Sequence, residues 1–98
     1  MTKEQLIRNL QMDVEIALDC KGIKYNPDRI NQKVTQYVEE MTTNVRIQNI
    51  EMCSSITIEH IDVDRLYFEI TFKTIFVFKN DFSFRDTIFM IVSKKDGE

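Results

Sequence analysis

The densest group of residues that could do chemistry lies between residues 59 and 64, where Glu59, His60, Asp62 and Asp64 follow one another closely. Hard cations bind several oxygens that converge on one point, and the two aspartates could supply two of them from one turn. On a strand, however, Glu59 and His60 point to opposite faces, and the segment has no glycine to wrap the backbone around an ion. The sequence therefore predicts a solvated turn here and no metal site.

Catalytic patterns are also missing from the sequence. His60 has no serine, cysteine or second histidine at a spacing that is typical of a nucleophile and its base. A restriction-type nuclease pattern would join Asp64 to Glu69-Ile70-Thr71, but threonine stands where that pattern requires lysine, and Lys73 comes too late. There is no glycine-rich phosphate loop. We therefore expect no enzyme activity, no cofactor and no small-molecule substrate.

Composition narrows the class of protein further. The chain has 98 residues and a formal net charge of −3, with acids and bases interspersed, so it lacks the basic stripe that follows a phosphate backbone. Cys20 and Cys53 match no metal-ligand spacing, which favours a reducing compartment. No apolar run approaches the roughly 20 residues that span a bilayer, and the N-terminus does not read as a signal peptide. These features predict one soluble, unsecreted domain that binds neither nucleic acid nor membrane.

The first half of the chain predicts two amphipathic helices that must be covered by a sheet. Thr2 and Gln5 have the spacing of a capping box, and Gly22 can take the left-handed geometry that ends a helix. Asn26 and Pro27 are typical of a second helix start. Apolar residues recur at helical spacing after both starts. The predicted bounds are about residues 3–20 and 27–42.

After Asn44 the apolar period changes from 3.6 to 2, which indicates strands. Residues 45–52 and 55–61 form either one long strand, bulged at the serines, or two strands. Residues 66–78 and 82–93 then form a hairpin rich in aromatic and β-branched side chains. The predicted fold class is α+β, with two N-terminal amphipathic helices packed on a three- or four-stranded antiparallel β-sheet.

The register of this hairpin decides which side chains enter the core. A two-residue turn at Asn80-Asp81 would place Phe76 opposite Arg85 and mix polar and apolar residues on both faces. A three-residue loop, residues 79–81, gathers the apolar residues on one face, and since a slip of one residue exchanges the faces, we expect this register. Its predicted core face contains Phe68, Ile70, Phe72, Phe76, Phe78, Phe82, Phe84, Ile88, Met90 and Val92.

The same register leaves four apolar side chains, Ile75, Val77, Phe89 and Ile91, on the opposite face. Either the long strand coils so that the first helix covers part of this face, or the four residues contact another protein. Burial in a partner would contribute roughly 1.5–3 kcal/mol for each side chain. In water they would form an aggregation-prone patch on a sheet.

The order of features from residue 30 to residue 92 resembles the C-terminal half of the phage baseplate wedge family, the lysozyme-like W family of contractile tails. The shared features are a helix at 30–38, a strand that opens at 44–47, a long strand at 65–72 and a final strand that ends near Ser93. The family's Glu-Pro-Arg-hydrophobic motif falls on 44–47, where Arg46 and Ile47 match. The resemblance implies a non-enzymatic virion component held by neighbouring subunits, with Arg46 as an assembly contact.

The leading hypothesis is thus a structural or assembly protein of a phage or phage-like particle, of tail or baseplate type, located in the virion or the host cytoplasm. Its partners would be other protein subunits. The alternative is a small phage-encoded inhibitor or regulator that binds a host protein. An enzyme would require a cleft that gathers residues 59–64 around a metal. The predicted interface residues are Ile75, Val77, Phe89, Ile91 and Arg46.

Overall fold

A computed structural model of the chain describes residues 2–42, 50–78 and 84–96. Two helices, α1 (Lys3–Cys20) and α2 (Pro27–Thr42), precede three strands, β1 (Ile50–Val63), β2 (Tyr67–Phe78) and β3 (Phe84–Lys94). The described strands form one antiparallel sheet in the order β1-β2-β3. The predicted α+β fold is therefore confirmed, and β1 is a single long strand with bulges.

Both ends of α1 are closed by the hydrogen bonds that the sequence predicts. The Thr2 amide donates to Gln5 Oε1 at 2.9 Å, and the Gln5 amide donates to Thr2 Oγ1 at 3.2 Å. At the other end Gly22 has a φ of 68°, and the Ile23 amide donates to the Leu18 carbonyl at 3.0 Å. This is a Schellman ending, which only a residue tolerant of positive φ forms without strain.

The second helix begins at its predicted cap and returns along the first. The Asp28 amide donates to Asn26 Oδ1 at 2.9 Å, which satisfies one of the free amides of the first turn. Lys3 Nζ, at the start of α1, lies 3.5 Å from Glu39 Oε1, near the end of α2. The two helices are therefore antiparallel.

The hydrophobic core lies between the helix pair and one face of the sheet. Both helices contribute a stripe with a spacing of three or four residues, as expected for amphipathic helices that cover a sheet. Within the described residues, neither helix packs against the opposite face of the sheet, which is called the outer face below. The buried apolar residues are Leu6, Leu10, Val14 and Leu18 of α1, Ile23, Ile30, Val34, Tyr37 and Val38 of the loop and α2, and Ile70, Phe72, Phe76, Phe89 and Ile91 of the sheet.

The register between β2 and β3 differs from the predicted one. Phe76 pairs with Arg85, Thr74 with Thr87, and the pairing continues without a shift to the end of the hairpin. This is the pairing expected of the two-residue turn, although residues 79–83 themselves lie outside the described residues. The three-residue register is therefore wrong.

The change of register exchanges the two faces of β3. Phe89 and Ile91 are only 7% and 3% exposed, so their predicted place on the outer face is wrong. Ile88, Met90 and Val92, which the sequence predicted for the core, are exposed. The predicted core face of β2 is confirmed, because its residues Ile70, Phe72 and Phe76 are buried. Phe82 and the side chain of Phe84 lie outside the described part of the chain.

Polar side chains within the core explain why this register forms. The Tyr37 hydroxyl lies 2.5 Å from Thr74 Oγ1 and also bonds to Thr87 Oγ1, and the two threonine hydroxyls are 2.7 Å apart. In the predicted register, Asp86 instead of Thr87 would lie opposite Thr74, which is fully buried. Burying a carboxylate there without a cation is far more costly than burying a hydroxyl that has partners.

Aromatic stacking supports the same register. The Phe89 ring lies between the rings of Tyr37 and Phe72, with centroid distances of 4.5 Å and 5.4 Å. Phe72 and Phe89 are also directly opposite each other in the sheet. Aromatic pairs of this kind contribute roughly 0.5–1.5 kcal/mol each, beyond what the buried area contributes.

Two neighbouring residues of β3 provide a direct check of the register. We predict that Phe89→Ala lowers the free energy of unfolding by about 3–5 kcal/mol, because it leaves a cavity between Tyr37 and Phe72. Ile88→Ala, on the outer face, should cost less than about 1 kcal/mol. Urea unfolding followed by circular dichroism measures both. A larger loss of stability for Ile88→Ala than for Phe89→Ala would support the three-residue register instead.

The hydroxyl cluster of Tyr37, Thr74 and Thr87 has its own test. Tyr37→Phe should lower the free energy of unfolding by about 1–3 kcal/mol, because the buried Thr74 and the half-buried Thr87 lose a hydrogen-bond partner. Tyr25→Phe is a matched control, since the Tyr25 hydroxyl contacts Asp19 Oδ2 at a longer 3.4 Å in an exposed position. Its effect should stay within about 0.5 kcal/mol. Equal effects of the two substitutions in thermal or urea unfolding would show that the cluster does not stabilise the fold.

Candidate interaction surface

The polar cluster at residues 59–64 forms local contacts rather than a converging site. His60 Nε2 lies 2.8 Å from Asp62 Oδ1, and both side chains are largely exposed. Asp64 Oδ1 accepts a hydrogen bond of 2.6 Å from the Arg65 amide, as expected for a turn aspartate. In the described residues no three or more histidine, cysteine, aspartate or glutamate side chains are grouped as ligands. The geometry therefore shows an exposed pair, His60 and Asp62, followed by a turn at Asp64.

A hollow beside the loop between the helices brings together Tyr25, Asp19 and Lys24. Burial, and then the carboxylates of Asp19 and Glu15, raise the pKa of the Tyr25 phenol above its ordinary value. The phenol also shares a hydrogen bond of 3.4 Å with Asp19 Oδ2. This contact connects the loop to α1.

The outer face of the sheet presents an apolar row along β3. Ile88, Met90 and Val92 are 66%, 45% and 43% exposed and lie at alternate positions of one strand, so their side chains are neighbours on the same face. These three residues are called the β3 row below. No helix in the described chain packs over them.

Polar residues flank the β3 row on the outer face. The β2 residues opposite the row are Lys73 and Thr71, which are half-buried, and Glu69, which is exposed, and exposed polar residues of β1 lie beyond them. An apolar strip with a polar flank is the usual layout of a protein interface, which has an apolar centre and a polar rim. From β1 through β2 to β3, the lines across the sheet are Thr57–Lys73–Ile88, His60–Thr71–Met90 and Asp62–Glu69–Val92.

The predicted interface residues are separated by the structure. Ile75 and Val77 lie on the outer face of β2 and are half-buried. Phe89 and Ile91 are in the core, and a contact with another chain through them would require the core to open. Arg46 lies outside the described residues. Of the four predicted interface residues that the structure describes, only the two of β2 lie on the predicted face.

Sequence reasoning missed the β3 row, although the strand carries a signal for it. Residues 88–92 are all apolar, so their own pattern fits either register. Beyond this run, Asp86 and Lys94 share the alternation of the β3 row, whereas Thr87 and Ser93 share that of the buried residues. Charged residues are more costly to bury than hydroxyls, so the flanking residues predict the observed faces.

The apolar area of the β3 row is too small to hold a partner alone. Covering the exposed fractions of these three side chains would contribute about 2–5 kcal/mol. Association costs about 4–15 kcal/mol in lost translational and rotational freedom. A stable complex therefore needs further contacts near the row.

The two edges of the sheet differ in their readiness to pair with another strand. β1 has three register shifts against β2, whereas β3 pairs with β2 without a shift. Bulges, charges and proline are the usual protection of an edge, and residues 87–93 of β3 contain no charge and no proline. β3 is therefore the edge that can accept another strand. The shifts in β1 lie between Ile50 and Met52, Cys53 and Ser55, and Ile58 and His60.

The chain matches no protein-family model, no curated protein and no solved structure. Among the described helices, neither is long and apolar enough to cross a membrane. What the outer face and the β3 edge bind is therefore inferred from their own residues.

Proposed function

We propose that this chain is a non-enzymatic assembly protein of a phage or phage-like particle, and that it binds another protein through the outer face of its sheet. The observation that carries the proposal is the β3 row, in which Ile88, Met90 and Val92 are exposed side by side. Single exposed apolar residues are common, but a contiguous row on an uncovered sheet is typical of a protein contact.

The charges around the β3 row favour a protein partner. Lys73, Glu69 and Asp62 lie on the same face, so the flank has both signs of charge. A nucleic-acid surface would instead gather cations. The assignment to a tail or baseplate is supported by the resemblance of residues 30–92, and the alternative inhibitor would use the same face against a host protein.

Two methionines of similar exposure provide a test with an internal control. Met90 in the β3 row is 45% exposed and Met12 on α1 is 52% exposed, so both should oxidise at similar rates in the free chain. In isolated particles Met90 should be protected and Met12 should remain reactive. Limited peroxide oxidation followed by peptide mass spectrometry measures both rates.

The location of a protected Met90 separates the two candidate functions. Protection in purified particles supports the assembly function. Protection only in a free complex with a host protein would replace it with the inhibitor function. Equal oxidation of Met90 and Met12 in every complex that contains the chain would contradict both.

A charge placed in the β3 row should block incorporation without unfolding the chain. Ile88→Lys should reduce the amount bound to particles at least about tenfold relative to co-produced wild type, because an unpaired lysine is costly to bury. Met12→Lys is the matched control and should be incorporated like wild type. Quantitative mass spectrometry of sedimented particles measures the ratio, and full incorporation of Ile88→Lys would show that the row is not the contact.

A further inference from the structure

A groove of about 430 Å³ runs between α2 and the edge of β3 that faces away from β2. One wall is formed by long polar side chains of α2, and the other by the middle of β3. The groove lies at the edge of the sheet and adjoins the β3 row, since Met90 and Val92 of the row also line it and Ile88 does not. The lining residues are Arg29, Gln32, Lys33, Gln36, Met90, Ile91 and Val92.

Two contacts hold α2 alongside this edge. Ser93 Oγ donates a 2.6 Å hydrogen bond to the carbonyl of Lys24, just before α2, and farther along the helix the Tyr37 ring stacks on Phe89. Because the early part of α2 lies near the end of β3 and Tyr37 lies near its middle, the helix runs antiparallel to the strand. The groove therefore follows the direction of β3, as an extended segment would.

The strand wall offers backbone hydrogen bonds. In an edge strand, every second residue directs its N–H and C=O away from the neighbouring strand. Within the described residues β3 pairs on one side only, with β2, and residues 87–93 carry no charge or proline that would prevent a further strand from adding. An extended segment in the groove can thus pair with β3 as a fourth strand.

The helix wall sets the charge of the occupant. Arg29 and Lys33 are four residues apart on α2, so they lie on the same side of the helix. None of the described residues that line the groove is acidic, and neither cation forms an ion pair within the described part of the chain. The groove is therefore locally positive on a chain whose formal net charge is −3.

We propose that this groove binds an extended segment of a partner protein in which acidic and apolar residues alternate. Side chains of an added strand alternate between the two faces of the sheet. One set therefore points toward α2, where carboxylates meet Arg29 and Lys33. The other set lies beside Met90 and Val92, where apolar side chains extend the outer face.

Charge disfavours a second copy of this chain as the occupant. Antiparallel pairing of two β3 edges would place the two α2 helices on the same side of the joined sheet. Arg29 and Lys33 of each copy would then face those of the other across the junction, and like charges oppose that contact. An acidic segment of a different protein is attracted by the same residues.

The test uses the full chain and short synthetic peptides in which glutamate alternates with valine. Titration into the isotope-labelled chain should shift the amide resonances of β3 and slow the hydrogen exchange of its outward amides. Arg29→Glu and Lys33→Glu should each weaken binding about fivefold. Arg8→Glu is a matched control, since Arg8 is an exposed cation of α1 outside the groove, and it should leave the affinity close to that of wild type.

Two peptide controls separate the backbone contribution from the charge contribution. N-methylation of alternate amides should abolish binding if the peptide adds to β3, and replacement of glutamate by lysine should abolish it if the cations select the occupant. Unchanged affinity of either peptide, or of the Arg29→Glu and Lys33→Glu chains, would overturn the proposal. Concentration-dependent self-pairing of the β3 edge in the absence of peptide would overturn it as well, in favour of a second copy.

The groove proposal rests on the proposed function only in that the partner is a protein. The two can fail separately. Full incorporation of Ile88→Lys into particles, together with peptide binding that depends on Arg29 and Lys33, would contradict the outer-face contact and retain the groove, because Ile88 does not line the groove. Loss of Ile88→Lys incorporation without peptide binding would do the opposite.

Discussion

Three hydrogen-bonded hydroxyl groups, those of Tyr37, the buried Thr74 and the half-buried Thr87, join α2 to both strands of the hairpin. A buried hydroxyl without a partner costs about 1–3 kcal/mol, so the three must be brought together for the core to close. Residues 88–92 are apolar throughout, and burying alternate members of this run yields similar apolar area in either register. This small difference in buried apolar area cannot determine the register of the hairpin. The buried polar groups determine it instead. A slip of one residue would separate Thr87 from Thr74 and replace it with the carboxylate of Asp86.

The outer surface follows from this constraint in the core. Once Thr87 faces Tyr37, the alternation of the strand turns Phe89 inward and Ile88 outward. The β3 row is thus held in place by buried hydrogen bonds on the other side of the same strand. In a sheet whose register is weakly specified, a strand could shift by one residue and so bury apolar side chains that were exposed. Here a slip would bury Asp86, so the row remains exposed until another molecule covers it.

Local chemistry explains which parts of the fold were predictable from sequence. The capping box of Thr2 and the left-handed Gly22 act within a few residues, and α1 and α2 run over the predicted ranges because such signals need no tertiary context. The hairpin register depends on Tyr37, a residue of another element that looks like an ordinary member of an apolar stripe. Its hydroxyl does not alter the apolar periodicity of the sequence. A prediction based on the number of apolar residues per face therefore placed Phe89 and Ile91 on the wrong face. The groove beside Arg29 could not be predicted from sequence either, because it depends on how α2 lies against the edge of β3.

The outer face and the edge of β3 make different contributions to the binding of a partner. Covering the β3 row contributes a few kilocalories per mole without fixing the orientation of the partner, since apolar burial is not directional. Backbone pairing at the edge fixes direction and register but contributes only about 0.5–1.5 kcal/mol net for each hydrogen bond. Arg29 and Lys33 add charge selection, which affects the rate and specificity of association more than its strength. Each contribution alone is smaller than the cost of association, and because all three lie on or beside the same strand, a partner that fits only one of them gains too little to stay bound.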